Sequence, residues 1–445
     1  MMIEKNRIPI EVIEILEQLR DQGYKSFIVG GAVRDLLLGK NPKDYDICTD
    51  ATPEQVKDIF KKVIDTGLKF GTVTVLNGAF SVEVTTFRKS RATENGKRIK
   101  IDSFSKSPEE DVKARDFTIN GLLFDGDKIT DLVEGLKDLA ERRIKAIEDP
   151  QDRFNEDALR MIRAIRFHCQ LGFEIEDATY ASISGNAGMI QGVAQERIRD
   201  ELVKILISNQ PAKGLRILHH TGLLKFVLPE LEACHHFDQK NVHHDKDVFD
   251  HTLAVIDHTP NDLTLRLSAL LHDIAKPQTF SLDEKGVGHF YLHNLRGQEL
   301  SKEILTRLKF DNKTIDIVGT LVCEHMSKLQ VLRHSTIKRL INRVGRENIF
   351  QLIDLQIADE AASAPPHNFK ILEALKKEIG RICDKNEPLA IRDLAIGGTD
   401  LIKLGFEPGP EMGKVLDMLL NRVLNNPKIN KKEILVTIAL QFKQE

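Results

Sequence analysis

Apolar and polar residues follow two rhythms along this chain. Residues 8–22 put Val12, Leu16 and Leu19 on one side at helical spacing and predict an amphipathic helix. KSFIVGGAVRDLLLG (25–39) predicts a strand, a Gly-Gly turn and a helix, and DYDICTD (44–50) predicts a short strand. In GTVTVLNGAFSVEVTTF (71–87) apolar residues alternate on both sides of Asn77-Gly78, which predicts a hairpin. RKSRATENGKRIKID (88–102) is polar and charged and predicts a mobile loop. From about residue 137 the helical period dominates almost to the end. The prediction is an α+β chain, a small β-sheet head followed by a helical remainder, with breaks near 145, near 230 and in SAPPHN (363–368).

At roughly 100–200 residues per domain, 445 residues leave room for two to four domains. The net charge is only −3, so any nucleic-acid site has to be a local basic patch. Five scattered cysteines form no CxxC pair and predict reduced thiols, not a disulfide framework or a zinc knuckle. The N-terminal MMIEKNRIPIEVIEIL lacks the apolar core of a signal peptide, and no apolar run approaches the ~20 residues that span a bilayer. These features predict a cytoplasmic protein without a membrane partner.

Candidate chemistry begins with Asp44 and Asp46. Two residues apart on a strand, they point to one face and can hold one metal pair. Two Mg²⁺ ions roughly 4 Å apart can activate an attacking hydroxyl and steady a leaving phosphate. Glu83, in SVEVTTF, is a candidate third carboxylate on a neighbouring strand. A DxD pair alone is common on surface strands, so its context matters. Gly30-Gly31 between a strand and a helix lets backbone N–H groups approach a triphosphate, and Arg34 can fork onto its oxygens. Further on, Asp157 and Arg160 stand at i and i+3 in a helical pattern, an acceptor beside a fork of donors. Arg163 and Arg166 continue that spacing and could meet phosphates; taken alone, the stripe would be a solvated ion-pair face.

FIVGGAVRDLLLGKNPKDYDICTDATPEQV (27–56) resembles the first signature of the class II tRNA nucleotidyltransferase and bacterial poly(A) polymerase family. ARDFTINGLLFD (114–125), EDALRMIRAIRF (156–167) and QERIRDELVKIL (195–206) resemble its ribose-recognising motif, its base-recognising motif and the helix supporting the latter. The resemblance implies Asp44 and Asp46 as metal ligands with Glu83 in support. It implies Gly30, Gly31 and Arg34 at the triphosphate, Arg115 on the nucleotide, Asp116 at the ribose 2′-OH, and Asp157 and Arg160 on the Watson–Crick edge of the incoming base. The chain departs from the family at Ala114, where the first of two arginines usually precedes DFT; Lys113 brings charge but no bidentate fork.

IVGGAVRD (28–35) resembles the tRNA nucleotidyltransferase form rather than the basic, aromatic variant of the poly(A) polymerases. The loop after Phe87 has the length of a CCA-adding enzyme, with Gly96, Lys97 and Arg98 where such loops carry Gly-Arg. The resemblance therefore implies addition of CMP, CMP and AMP, from CTP and ATP, to the 3′ end of tRNA. Alternatives are an enzyme adding only CC or A, a poly(A) polymerase, or a nucleotide-signalling synthetase-hydrolase. The last places its histidine-aspartate domain first and lacks EDALR. DLAIGGTDLIKLGFEPGPEMGKVLDMLLNRVL (393–424) resembles the tail of CCA enzymes, with Gly405, Pro408, Gly409, Pro410 and Gly413 in a turn between helices and a clamp for tRNA as the implied role.

Histidines crowd residues 243–360. His251, the pair His272-Asp273, His293, His325 and Asp359 supply nitrogen and oxygen ligands that suit a divalent transition metal, and such a site can generate hydroxide for phosphoester hydrolysis. Apolar-His-Asp-apolar in LSALLHDIAKP resembles the HD phosphohydrolase superfamily. That resemblance implies His251, His272, Asp273 and Asp359 as the ligand set, with His293 and His325 completing a second site. The expected domains are a nucleotidyltransferase head at 1–145, a helical base-recognising neck at 146–230, an HD-type body at 231–370 and a helical tail at 371–445.

Overall fold

The computed structural model describes residues 3–89, 104–237, 247–385 and 387–443, and the backbone alone of 93–94, 97–98 and 444. Most of the expected loop 88–102, including Gly96 and the side chains of Lys97 and Arg98, lies outside the described residues. The chain divides into two compact units, Met1–Val227 and Leu228–Glu445.

The first unit is built on a seven-stranded sheet. Its strands are β1 (Ser26–Val29), β2 (Asp46–Thr49), β3 (Val63–Gly67), β4 (Thr72–Asn77), β5 (Phe80–Thr86), β6 (Leu122–Phe124) and β7 (Ile129–Asp131), in the order β3-β4-β5-β2-β1-β6-β7. The hairpin β4–β5 closes on Gly78-Ala79, and Gly78 takes φ +57°, a left-handed conformation that glycine adopts cheaply. Strand β2 runs parallel to β5 and antiparallel to β1, so it is paired on both edges. Helix α1 (Ile10–Asp21) buries Val12, Ile15, Leu16 and Leu19, as its period predicts. Helix α2 (Gly31–Leu37) starts directly behind β1, and α3 (Pro53–Ile59) starts with a reciprocal Thr52–Gln55 capping box and Pro53 in its first turn.

Helices α4 (Pro108–Lys113), α5 (Gly135–Ala140), α6 (Pro150–Glu156), α7 (Leu159–Leu171), α8 (Asp177–Asn186) and α9 (Gln195–Leu206) complete the functional part of this unit. Helix α7 buries nine of its thirteen residues and packs on α9. The second unit is helical and confirms the α+β class. Two short sheets interrupt the helical stretch: Arg143–Ile144 with Glu174–Ile175, and Phe280–Leu282 with Gly288–Phe290. Strands of two and three residues are too short for a period-2 pattern to stand out from helix. The five cysteines are free. No helix among the described residues is long and apolar enough to cross a membrane.

Candidate active site and metal centre

The carboxylates gather at the end of β2. The expected strand begins only at Asp46; Asp44 precedes it, and both are exposed on either side of buried Tyr45. Asp44 is therefore outside the ladder, though near enough for its charge to act on Asp46. Glu83 is in register with Asp46 on the parallel neighbour β5, and neighbouring strands lie about 4.8 Å apart. The crowding of protein around Asp46, then the charges of Glu83 and Asp44, push its carboxyl above the ordinary range, with Arg115 opposing. A surplus of negative charge of this kind fits a divalent cation.

Gly30 lies against that cluster in a left-handed turn. Its φ is +74°, and a Cβ placed there would lie 3.8 Å from Asp46 Oδ2 and 3.6 Å from Arg115 Nη1. Arg115 is itself anchored, donating Nη2 to Asp111 Oδ2 at 2.8 Å. Arg34 is buried; it donates Nε to Asp35 Oδ1 at 2.9 Å and Nη1 to Asn120 Oδ1 at 2.8 Å. The expected phosphate fork is thus held within the protein.

The expected helical pair Asp157 and Arg160 needs correction. Asp157 takes extended backbone (φ −154°, ψ 102°) at the break between α6 and α7, and its Oδ1 accepts from the Leu159 N–H at 3.2 Å. An Asp that can bond the backbone two residues ahead favours a helix entry over a helix interior, so the pattern overran a boundary. The two side chains also have separate partners. Arg197 of α9 clasps Asp157 at 2.6 and 3.2 Å, whereas Arg160 donates to Glu156 Oε2 at 2.7 Å and to the Ala114 carbonyl at 2.6 Å. At the position where the family usually has an arginine, it is the backbone that holds the base-motif arginine. Lys113 pairs with Glu109 and Glu148, at 3.2 and 3.5 Å, so its charge is spent there.

Asp116 is buried and accepts two bonds from Arg163, at 2.9 and 2.5 Å, and one from Asn120 at 3.0 Å. Burial works against its charge, but Arg163 and Asn120 outweigh that and hold its carboxyl well below the usual range. Arg166 pairs with buried Glu201 at 3.0 Å; burial and then Arg163 pull it down to about 10. Phe167 lies under the guanidinium groups of Arg34, Arg163 and Arg166, at 5.1, 5.6 and 4.1 Å. The expected stripe of phosphate-facing arginines is therefore a paired network. Three further residues inside the family-like motifs, Asn120, Arg197 and Glu201, partner Asp116, Asp157 and Arg166, and motif spacing alone does not mark them.

In the second unit the six expected ligands converge. His251 and Asp359 come from the helices Val248–His258 and Ile349–Ala362, His272 and Asp273 follow the helix Leu263–Leu271, His293 opens the helix His293–Arg307, and His325 caps Asn312–Glu324. His251, His272 and Asp273 form one buried triad and Asp273, His293 and His325 another, the ligand atoms of each lying within 4.8 Å of one another. His251 Nε2 stands 3.1 Å from Asp359 Oδ1. The Nδ1 atoms of His272, His293 and His325 lie 2.8, 2.8 and 2.6 Å from the carbonyls of Ala269, Phe290 and Val322, so each ring turns Nε2 inward. Burial, then the charge of His272, pushes His325 down to about 4, and a neutral imidazole is the ligating form. Lys276 and Lys328 balance the acids, 2.7 Å from Asp273 and 3.1 Å from Asp359. This donor set fits one or two divalent transition metals.

Comparison with known proteins settles the family. Residues 26–145 match the Poly A polymerase head domain, 172–234 the "Probable RNA and SrmB-binding site of polymerase A", and 289–439 domain 2 of tRNA nucleotidyltransferases. CCA-adding enzymes of Levilactobacillus brevis and Latilactobacillus sakei are each 34% identical, over 95% and 96% of this chain and 95% and 97% of theirs. The chain belongs to the CCA-adding enzyme family. The CCA-adding enzyme of Bacillus stearothermophilus, solved in complex with CTP, superposes with a TM-score of 0.76 at 28% identity over 98% of this chain and 97% of its own. That of Thermotoga maritima, complexed with tRNA, shares the fold at a TM-score of 0.56 and 20% identity, covering 98% of this chain and 97% of its own. Membership makes the chain a nucleotidyltransferase of the divalent-metal-dependent kind.

Proposed function

We propose that this enzyme completes the 3′ end of tRNA in the cytoplasm, adding CMP, CMP and AMP from CTP and ATP without a nucleic-acid template. The observation that carries the reading is the register of Asp46 against Glu83, with Asp44 beside it and the Gly30 turn against Asp46. Asp44 and Asp46 would hold two Mg²⁺ ions, with Glu83 in support; when bound, they supply an activated 3′-hydroxyl and neutralise charge on the leaving pyrophosphate. Gly30 and Gly31 admit the triphosphate, Arg34 turns from Asp35 to its oxygens, and Arg115 steadies the nucleotide. Asp116 meets the ribose 2′-OH, held by Arg163. Asp157 and Arg160 exchange Arg197 and the Ala114 carbonyl for the edge of the base; Arg166 supports them through Glu201. We assign 1–145 as head, 146–230 as neck, 231–370 as HD-type body and 371–445 as the tail that contacts tRNA.

The test is extension of a tRNA transcript lacking CCA with CTP, ATP or both, sized at one-nucleotide resolution. Two C's and then one A, with a stop, is the expected product. A product of CC alone, or of A alone on tRNA-CC, means partial addition, and a long ladder with ATP alone means poly(A) synthesis.

The buried histidine-aspartate cluster supports a second activity. His251, His272, Asp273 and Asp359 would hold one divalent transition metal and His293 and His325, with Asp273, a second; when bound, they supply hydroxide for phosphoester hydrolysis. Release of phosphate from nucleoside monophosphates, or opening of 2′,3′-cyclic phosphates to monophosphates, by metal-loaded enzyme, absent after chelation, is the expected result.

A further inference from the structure

Asn120 lies between two residues of the proposed nucleotide site. It ends the single turn Thr118–Asn120, and its side chain is buried. Its Nδ2 donates to Asp116 Oδ1 at 3.0 Å, and its Oδ1 accepts from Arg34 Nη1 at 2.8 Å. A side-chain amide donates through one end and accepts through the other, which suits a place between a carboxylate and a guanidinium. Aspartate would still accept from Arg34 but would set a second carboxylate against Asp116; alanine would leave both without this partner. On the far sides, Arg163 holds Asp116 and Asp35 holds Arg34. A continuous chain, Arg163–Asp116–Asn120–Arg34–Asp35, therefore links the base-reading helix α7 to the triphosphate helix α2.

We infer that Asn120 is a positioning residue that couples ribose recognition at Asp116 to triphosphate binding at Arg34. The inference rests on the roles proposed above for those two residues. Asn120 shares Oδ1 of Asp116 with the Phe117 N–H, so it orients the carboxylate that a 2′-OH would approach, and it fixes one arm of the guanidinium, leaving its remaining donors for phosphate. Without it only Arg163, on Oδ2, and the Phe117 N–H, on Oδ1, set the angle of Asp116, and the pull of Asp35 on Arg34 goes unopposed. Ribose discrimination and triphosphate affinity then fall together.

The test compares CTP with dCTP incorporation on tRNA lacking CCA by the full-length enzyme and its Asn120→Asp and Asn120→Ala variants, with thermal melting of each. In both variants the CTP/dCTP ratio of kcat/KM should fall about tenfold or more, the scale of one hydrogen bond to a charged group. KM for CTP should rise more than kcat falls. A lowered Tm with an unchanged ratio would mean a merely structural residue and overturns the inference. Combining Asn120→Ala with Arg34→Ala should raise KM by less than the product of the single effects; simple multiplication overturns the coupling. Asp116→Ala separates the inference from the site reading. A changed ratio there, with none in the Asn120 variants, refutes Asn120 alone; no change there removes the ribose role and this inference with it.

Discussion

The two units hold their charges in different ways. In the first, Asp157, Arg160, Asp116 and Arg34 are each bound by another part of the protein through long side chains or a carbonyl, and Asp44, Asp46 and Glu83 face outward. In the second, four histidines and Asp273 are buried, three of the rings are fixed from behind by backbone carbonyls, and one aspartate serves two triads. A site that has to accept successive nucleotides keeps its groups neutralised by partners that a ligand can replace. A cluster able to hold metal as a fixture keeps its ligands dry and preset.

The largest test of this contrast is Asp46→Ala. Nucleotide addition should fall roughly a thousandfold or more, while tRNA binding measured by filter retention stays near wild type. Residual incorporation close to wild type would remove Asp46 from the catalytic set. Next comes Asp273→Ala, which should strip both triads of metal by elemental analysis yet leave CCA addition within about twofold, since the two sites share no residue. Breaking its buried pair with Lys276 costs about 3–5 kcal/mol, so the isosteric Asp273→Asn is measured beside it. Loss of nucleotide addition in a folded Asn variant would show that the two sites are not independent.

Arg160→Ala sharpens the first half of the comparison. A bidentate base contact gives about 1–3 kcal/mol of discrimination, so the CTP/ATP preference on tRNA-C and tRNA-CC should blur by that amount. Unchanged preference would leave Arg160 as a brace between Glu156 and Ala114. The smallest effect concerns the helix that carries Arg160. His168 in α7 is buried with Nδ1 2.7 Å from the Phe173 carbonyl, and burial, then Lys213, lowers its pKa. The unfolded chain therefore binds the proton more readily, and stability present above the unfolded value of about 6.5 should decline as pH falls through it. Urea midpoints at pH 7.5 and 5.5 should differ less in His168→Gln than in wild type; equal differences would contradict the assignment.

Much of the site was legible along the chain because its chemistry is local. Gly30-Gly31 before a helix, Asp-x-Asp beside it and His272-Asp273 between apolar residues each express a short-range constraint. The misreadings concern boundaries and partners. The helical period carried through Asp157, where an aspartate bond to the Leu159 N–H opens a new helix. Arg163 and Arg166 gave no hint that Asp116 and Glu201 would claim them, because those carboxylates are 47 and 35 residues away.

By itself the sequence determined the α+β division, the family, and the residue types able to bind metal and nucleotide, since period, turn chemistry and motif spacing are properties of neighbouring residues. Only the tertiary structure decided that Glu83 lies opposite Asp46, that Asp273 is shared by two histidine pairs, and that Asn120 joins Asp116 to Arg34. Those are matters of strand register and helix packing. They are set by which apolar faces bury against one another, and no local pattern encodes the partner that long-range burial brings into reach.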